Sequence, residues 1–180
     1  MFYSCNLILI GYILLALKVF NLFIFQVFGL LGYLLIGIGV YKLSKSKETK
    51  LGAFAAFGLF LLMGYSFVKP PVTKPETIDI VFAIVQTLLY VLLNWVLIYF
   101  MFEEIHSLLK SKKMVDDVQL CKKNKTKFMN LIFYSVLCQN GVFMFPKLGA
   151  ILFLIGVGLA IYLSIIQVIY FYKVSRLIQC

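Results

Sequence analysis

The sequence predicts an all-α, polytopic integral membrane protein with six transmembrane helices, and three observations carry that expectation. Hydrophobic residues make up 63% of the 180-residue chain and charged residues 13%, with a mean hydropathy of +1.01. A soluble domain has an apolar share nearer half, spread in short periodic runs. Six apolar stretches, Met1–Leu17, Leu22–Tyr41, Leu51–Val68, Ile78–Phe102, Phe128–Phe145 and Leu148–Tyr172, follow one another. Each holds about 17 to 25 residues, enough as a helix rising about 1.5 Å per residue to cross a ~30 Å hydrocarbon layer. The lysines fall almost entirely in the gaps. The spans use up nearly all of the chain, so residues 1–180 read as a single membrane domain.

Lys18, Asn21 and Gln26 interrupt the apolar residues from Met1 to Tyr41. A tight reversal near Lys18–Asn21, with Lys18 snorkelling to the outer interface, divides this stretch into two spans. The alternative is a five-span chain in which Met1–Leu17 lies along the interface. No basic region precedes the first apolar run and no small-residue cleavage site follows it, so the first helix is expected to stay in the mature protein. The third span ends at Lys69-Pro70-Pro71. Pro75, Glu76, Thr77 and Asp79 then open the fourth in the order of a helix N-terminus. This boundary leaves three helices on each side, and the fragments Leu35-Ile36-Gly37-Ile38-Gly39 and Leu154-Ile155-Gly156-Val157-Gly158 are alike, so a 3+3 inverted repeat is conceivable. The fourth helix is expected to run past the membrane, because Glu103–Lys113 contains no Gly or Pro. Residues 103–127 as a whole read as a cytoplasmic loop.

Charge placement sets the orientation. With six spans, 13 of the 17 Lys and Arg residues lie on one side, and Lys18, Lys69, Lys74 and Lys147 lie on the other. The positive-inside rule then puts both termini and the two lysine-rich loops in the cytoplasm. The formal charge of +10 thus reads as attraction to an anionic leaflet, not to nucleic acid. Sixteen lysines against one arginine suggest an AT-rich genome, hence a bacterial cytoplasmic membrane. Cys5, Cys121, Cys138 and Cys180 form no disulfide framework and no metal-binding CxxC, and no cofactor is implied. Asn124-Lys125-Thr126 matches a glycosylation sequon but falls on the cytoplasmic side.

Several residues are candidates for function. Gly156, Ala160 and Ser164 recur every fourth position and form a smooth helix-packing face, with similar surfaces at Gly29, Gly32 and Gly39 and at Gly52 with Ala56. On the fourth helix Asp79, Gln86, Tyr90, Asn94 and Glu104 fall along one face, the most polar stripe within any span. Gln139, Asn140 and Gln167 could meet it around a small polar cavity, which makes Gln86, Tyr90 and Asn94 the ligand-binding candidates. Amides and tyrosines also hydrogen-bond across helices simply to satisfy one another. No Asp, Glu or Arg lies deep in a span, which argues against a proton relay or ion-coupled pump.

Glu103-Glu104-Ile105-His106 resembles both a Glu-x-x-His metal motif and the paired-glutamate motif of intramembrane CAAX-type proteases. His106 is the only histidine and Leu108 stands where that family has arginine, so neither chemistry has its full set of residues. His106 and Cys121, with Lys122 and Lys123 beside the thiol, form an alternative catalytic pair, since adjacent cations favour a thiolate and a histidine can serve as its base. This arrangement is similar to the small membrane peptidases that process signal peptides in quorum sensing, whose His and Cys lie much closer in sequence.

The run Gly32-Tyr33-Leu34-Leu35-Ile36-Gly37-Ile38-Gly39, followed by Tyr41, Lys42 and Leu43 and a lysine-rich turn, resembles a group of small integral membrane proteins of low-GC Gram-positive bacteria. The likeness covers about the first third of the chain, departs from the group's pattern at Gln26–Leu31, and implies a fold but no activity. The expected function is a non-enzymatic small-ligand binding or transport subunit, or a component of a membrane complex. Its size and layout are similar to those of the substrate-binding subunits of vitamin transporters. Expected partners are the lipid bilayer and other membrane subunits or further copies of the chain, not nucleic acid.

Overall fold

A computed structural model describes residues 2–17, 23–44, 46–68, 77–144 and 148–179. They form six α-helices and no strand: α1 (Phe2–Leu17), α2 (Phe23–Leu43), α3 (Lys50–Val68), α4 (Thr77–Ser111), α5 (Val115–Met144) and α6 (Gly149–Gln179). The anticipated reversal at Lys18–Asn21 and the Lys69–Glu76 boundary lie outside the described residues. Two helices, α4 and α6, are long and apolar enough to cross a membrane, and α1, α2 and α3 contribute shorter apolar stretches.

Each helix packs on its neighbours in chain order, and α1 packs on α6, so the six close into a ring. Neighbours run antiparallel. Gly11 meets Gly32 while Gly39 meets Ser4 across α1/α2, and Trp95 Nε1 donates to the Met129 carbonyl (3.0 Å) while Cys121 Sγ donates to that of Phe102 (3.7 Å) across α4/α5. The two Gly-x-Gly fragments do not occupy matching places in this ring. One lies on the second helix of its half and the other on the third, and Gly39 is pressed against α1 where Gly158 has open space.

The segment expected to be a loop, residues 103–127, is mostly helical. Helix α4 continues to Ser111 and α5 starts at Val115, with Lys113 in the left-handed conformation (φ 59°) between them. Lys113 N–H donates to Lys110 O (3.0 Å) and Met114 N–H to Leu109 O (3.1 Å), which closes the carbonyl end of α4 in a Schellman motif. Asp116 and Asp117 in the first turn of α5 favour its start, because carboxylates complement the positive end of the helix dipole.

The core sits toward one end. Leu97, Ile98, Met101, Phe102, Ile105 and Leu109 of α4 are buried, whereas no residue from Val81 to Leu93 is. At this lysine-rich end, Tyr12 stacks on Phe171 (4.6 Å between ring centroids) and Phe102 on Tyr170 (5.1 Å), with Phe128 edge-on to Phe102 (5.5 Å). Aromatic rings from α1, α4, α5 and α6 thereby plug one end of the ring, and the other end is loosely packed.

Candidate functional site

Beyond the aromatic plug lies a cavity of about 560 Å³ bounded by α1, α2, α4, α5 and α6. Its polar lining comes from Tyr12, Tyr33, Tyr90, Asn94, Ser135, Gln139, Ser164 and Gln167, set among Leu15, Leu97, Ile132, Val157 and Leu163. Among the described residues no charged side chain lines it. One wall is a network: Tyr33 and Tyr90 share a hydroxyl hydrogen bond (2.9 Å), Tyr33 Oη donates to Asn94 Oδ1 (3.5 Å), and Asn94 Nδ2 donates to the Tyr90 carbonyl (2.9 Å). On the facing wall Gln139 Nε2 donates to Ser135 Oγ (3.4 Å), which itself donates to the Gly156 carbonyl (3.0 Å).

Gln167 differs from these neighbours. It is 7% exposed and makes no hydrogen bond among the described residues. Its carboxamide lines the cavity and offers both donors and an acceptor to whatever occupies it.

The structure brings Tyr90, Asn94, Gln139 and Gln167 to one cavity, as the polar stripe suggested. Gln86 is not among the lining residues; it is half-buried and donates to Ser66 Oγ on α3. The reason is helical drift: a four-residue step turns about 400°, so each step along Gln86, Tyr90 and Asn94 winds the stripe about 40° around α4. The Asn140 side chain lies outside what is described. Sequence reasoning did not single out Tyr12, Tyr33 or Ser135, because a tyrosine or serine inside an apolar run carries no sign of which way it faces.

Gly156, Ala160 and Ser164 divide between two roles. A Cβ on Gly156 would lie 2.9 Å from the Gln139 nitrogen and 3.0 Å from the Ser135 carbonyl oxygen, so this glycine allows α5 and α6 to touch within one chain. Ala160 and Ser164 face the cavity.

His106 and Cys121 do share a smaller cavity of about 260 Å³, with Phe102, Glu103, Lys122, Lys125 and Thr126. The expectation of an activated thiolate is not met. Cys121 is 1% exposed, and burial pushes its thiol above the usual range, with Glu103 adding to the rise and Lys125 offsetting it less. Desolvation outweighs the neighbouring cations. Since the neutral thiol persists to higher pH than in an ordinary cysteine, alkylation of Cys121 is expected to lag a free thiol at pH 8 and to speed up only above it. Mass-spectrometric timing of iodoacetamide labelling, with half-buried Cys138 as the internal comparison, checks this. Among the described residues no three His, Cys, Asp or Glu side chains converge as a metal ion would require.

No protein-family model matches the chain, and comparison with characterised proteins and with solved structures finds no relative.

Proposed function

We propose that the chain is a six-span protein of a bacterial cytoplasmic membrane that binds an uncharged small molecule in its central cavity, as a binding or transport subunit working with other membrane subunits or further copies. The observation that carries the ligand is the 560 Å³ cavity with its polar lining, on whose wall the Gln167 carboxamide makes no hydrogen bond among the described residues. That volume lies within the usual range for small-molecule sites, about 300–1,000 Å³. A lining of hydroxyls, carboxamides and aromatic rings, without charge among the described residues, suits a neutral molecule that offers both donors and acceptors. The plug of Tyr12, Phe102, Phe128, Tyr170 and Phe171 supports access from the end away from the lysines.

Membrane residence is supported by what the apolar helices do not bury. Only 17% of the most apolar window of α4, and likewise of α6, is buried, and Ile78 (74% exposed) and Leu154 (69%) point outward. A soluble protein buries such helices, and lipid is the solvent that leaves them stable as they are. Four cations lie over tyrosine rings toward the lysine-rich end: Lys50 over Tyr41, Lys125 over Tyr99, Lys127 over Tyr162 and Arg176 over Tyr172. Such pairs suit a headgroup interface, where tyrosines and snorkelling lysines collect. From Thr77 to Tyr99, α4 rises about 33 Å, the thickness of the hydrocarbon layer.

Topology follows from the positive-inside rule, with both termini and the α4–α5 hairpin cytoplasmic. In a cysteine-free background, a membrane-impermeant maleimide applied to intact spheroplasts is expected to label Lys74→Cys and to spare Lys113→Cys. Labelling of Lys113→Cys alone would invert the topology, and labelling of both would remove the membrane barrier between them. For the ligand, gentle extraction followed by native mass spectrometry is the test, with a stoichiometric small molecule in support and an empty chain against.

A further inference from the structure

We propose that the cavity between α4 and α5 at the lysine-rich end binds the phosphate of an anionic headgroup through Lys122, His106 and Thr126. The 260 Å³ space has a buried apolar floor, Phe102 and Cys121, and polar walls. It is smaller than most drug-sized sites and suits a compact group. The wall charges are not balanced. Lys125 Nζ pairs with Glu103 Oε1 at 2.6 Å and lies 4.2 Å from the centre of the Tyr99 ring, so the one carboxylate is already neutralised. The Lys122 ammonium and the His106 imidazole make no hydrogen bond or ion pair among the described residues, although both residues line the space. Thr126 adds a hydroxyl whose present bond, to the Lys122 carbonyl, is long at 3.5 Å. An unpaired ammonium, an imidazole N–H and a hydroxyl together match a phosphate's several acceptor oxygens, and ion-assisted bonds of this kind are the stronger ones. Their level also fits. Tyr99 and Lys125 lie in the tyrosine–cation band, so the site falls among lipid headgroups if the membrane reading above holds, on which the lipid source of the phosphate rests.

The test uses the full-length protein reconstituted into vesicles of phosphatidylglycerol and phosphatidylcholine, then released for native mass spectrometry. Flotation with the vesicles reports on membrane residence separately from the headgroup site. One phosphatidylglycerol is expected to be retained in preference to phosphatidylcholine. Retention should fall about fivefold in Lys122→Gln, the loss of one lysine–headgroup attraction, fall further in Lys122→Gln with His106→Gln as the imidazole N–H is also lost, and stay at the parental level in Lys110→Gln. A second arm offers glycerol 3-phosphate to lipid-free protein in detergent. Binding there that is lost in the double variant assigns a soluble phosphomonoester as a source, and binding of the lipid alone assigns the bilayer. Equal retention of both lipids without glycerol 3-phosphate binding, an unchanged double variant, or an equal loss in Lys110→Gln would each overturn the site.

Discussion

Gln167→Leu is expected to raise the melting temperature of the ligand-free protein and, in the same molecule, to weaken ligand retention by on the order of tenfold or more. The two effects have one cause. In the empty protein the carboxamide makes no hydrogen bond among the described residues, so an apolar side chain of similar size gives up no bond and gains apolar contact with the cavity wall. In the bound protein that carboxamide is the free hydrogen-bonding group of the wall, and losing one buried bond of this kind costs roughly 1–3 kcal/mol. A purely structural glutamine would behave in the opposite way, its loss lowering the melting temperature. Ala160→Phe, one turn before Ser164 on the same wall, provides the steric counterpart. Its ring takes up about the space that holds a benzene, roughly 150 Å³, between the polar groups of α5 and Gln167. Thermal melting in detergent and ligand retention, measured on the same samples, check both variants.

Gly11→Leu is expected to cost the most stability of any single change in α1. A Cβ there would lie 2.7 Å from the Gly32 carbonyl oxygen and 3.1 Å from the Ile36 nitrogen, and one on Gly32 would lie 2.8 Å from the Gly11 carbonyl oxygen. These are backbone atoms that cannot turn aside, so α1 and α2 must separate. Overpacking costs roughly 1–3 kcal/mol in cores that can adjust, and this seam has two helix backbones in contact. The same logic predicts a contrast on α6. Gly156→Ala presses on α5, whereas Gly158→Ala meets nothing within 4 Å and should be neutral or stabilising by up to about 1 kcal/mol from helix propensity. Melting curves of Gly11→Leu, Gly156→Ala and Gly158→Ala that coincide would remove close helix contact as the organising feature of the ring.

Much of this arrangement was legible in the chain. Apolar length gave the number of helices, and the lack of Gly and Pro after Glu103 gave the continuation of α4 to Ser111. The end of α4 was hidden because Lys113, not glycine or asparagine, takes the left-handed position, and a lysine there gives no sequence signal. The early start of α5 was hidden too, since Asp116 to Lys127 reads as a solvated loop until Asp117 is seen paired with Lys173 (3.1 Å) and Lys125 with Glu103. Tyr90, Asn94 and Gln167 were found because polar groups in apolar helices are few. Gln86, one turn before Tyr90, meets Ser66 on α3 and not the cavity, because successive four-residue steps wind around the helix. Closure of α1 on α6 depends on contacts between the two ends of the chain, which no local pattern encodes.

A ligand held in the cavity should survive gentle extraction of the protein from its own membranes and be seen by native mass spectrometry. The expected result is one small, uncharged molecule of constant mass on the wild-type chain, absent from Ala160→Phe and depleted in Gln167→Leu. Identical spectra for all three proteins, bare or carrying only bulk lipid, would contradict it and leave the polar lining as internal hydrogen bonding alone.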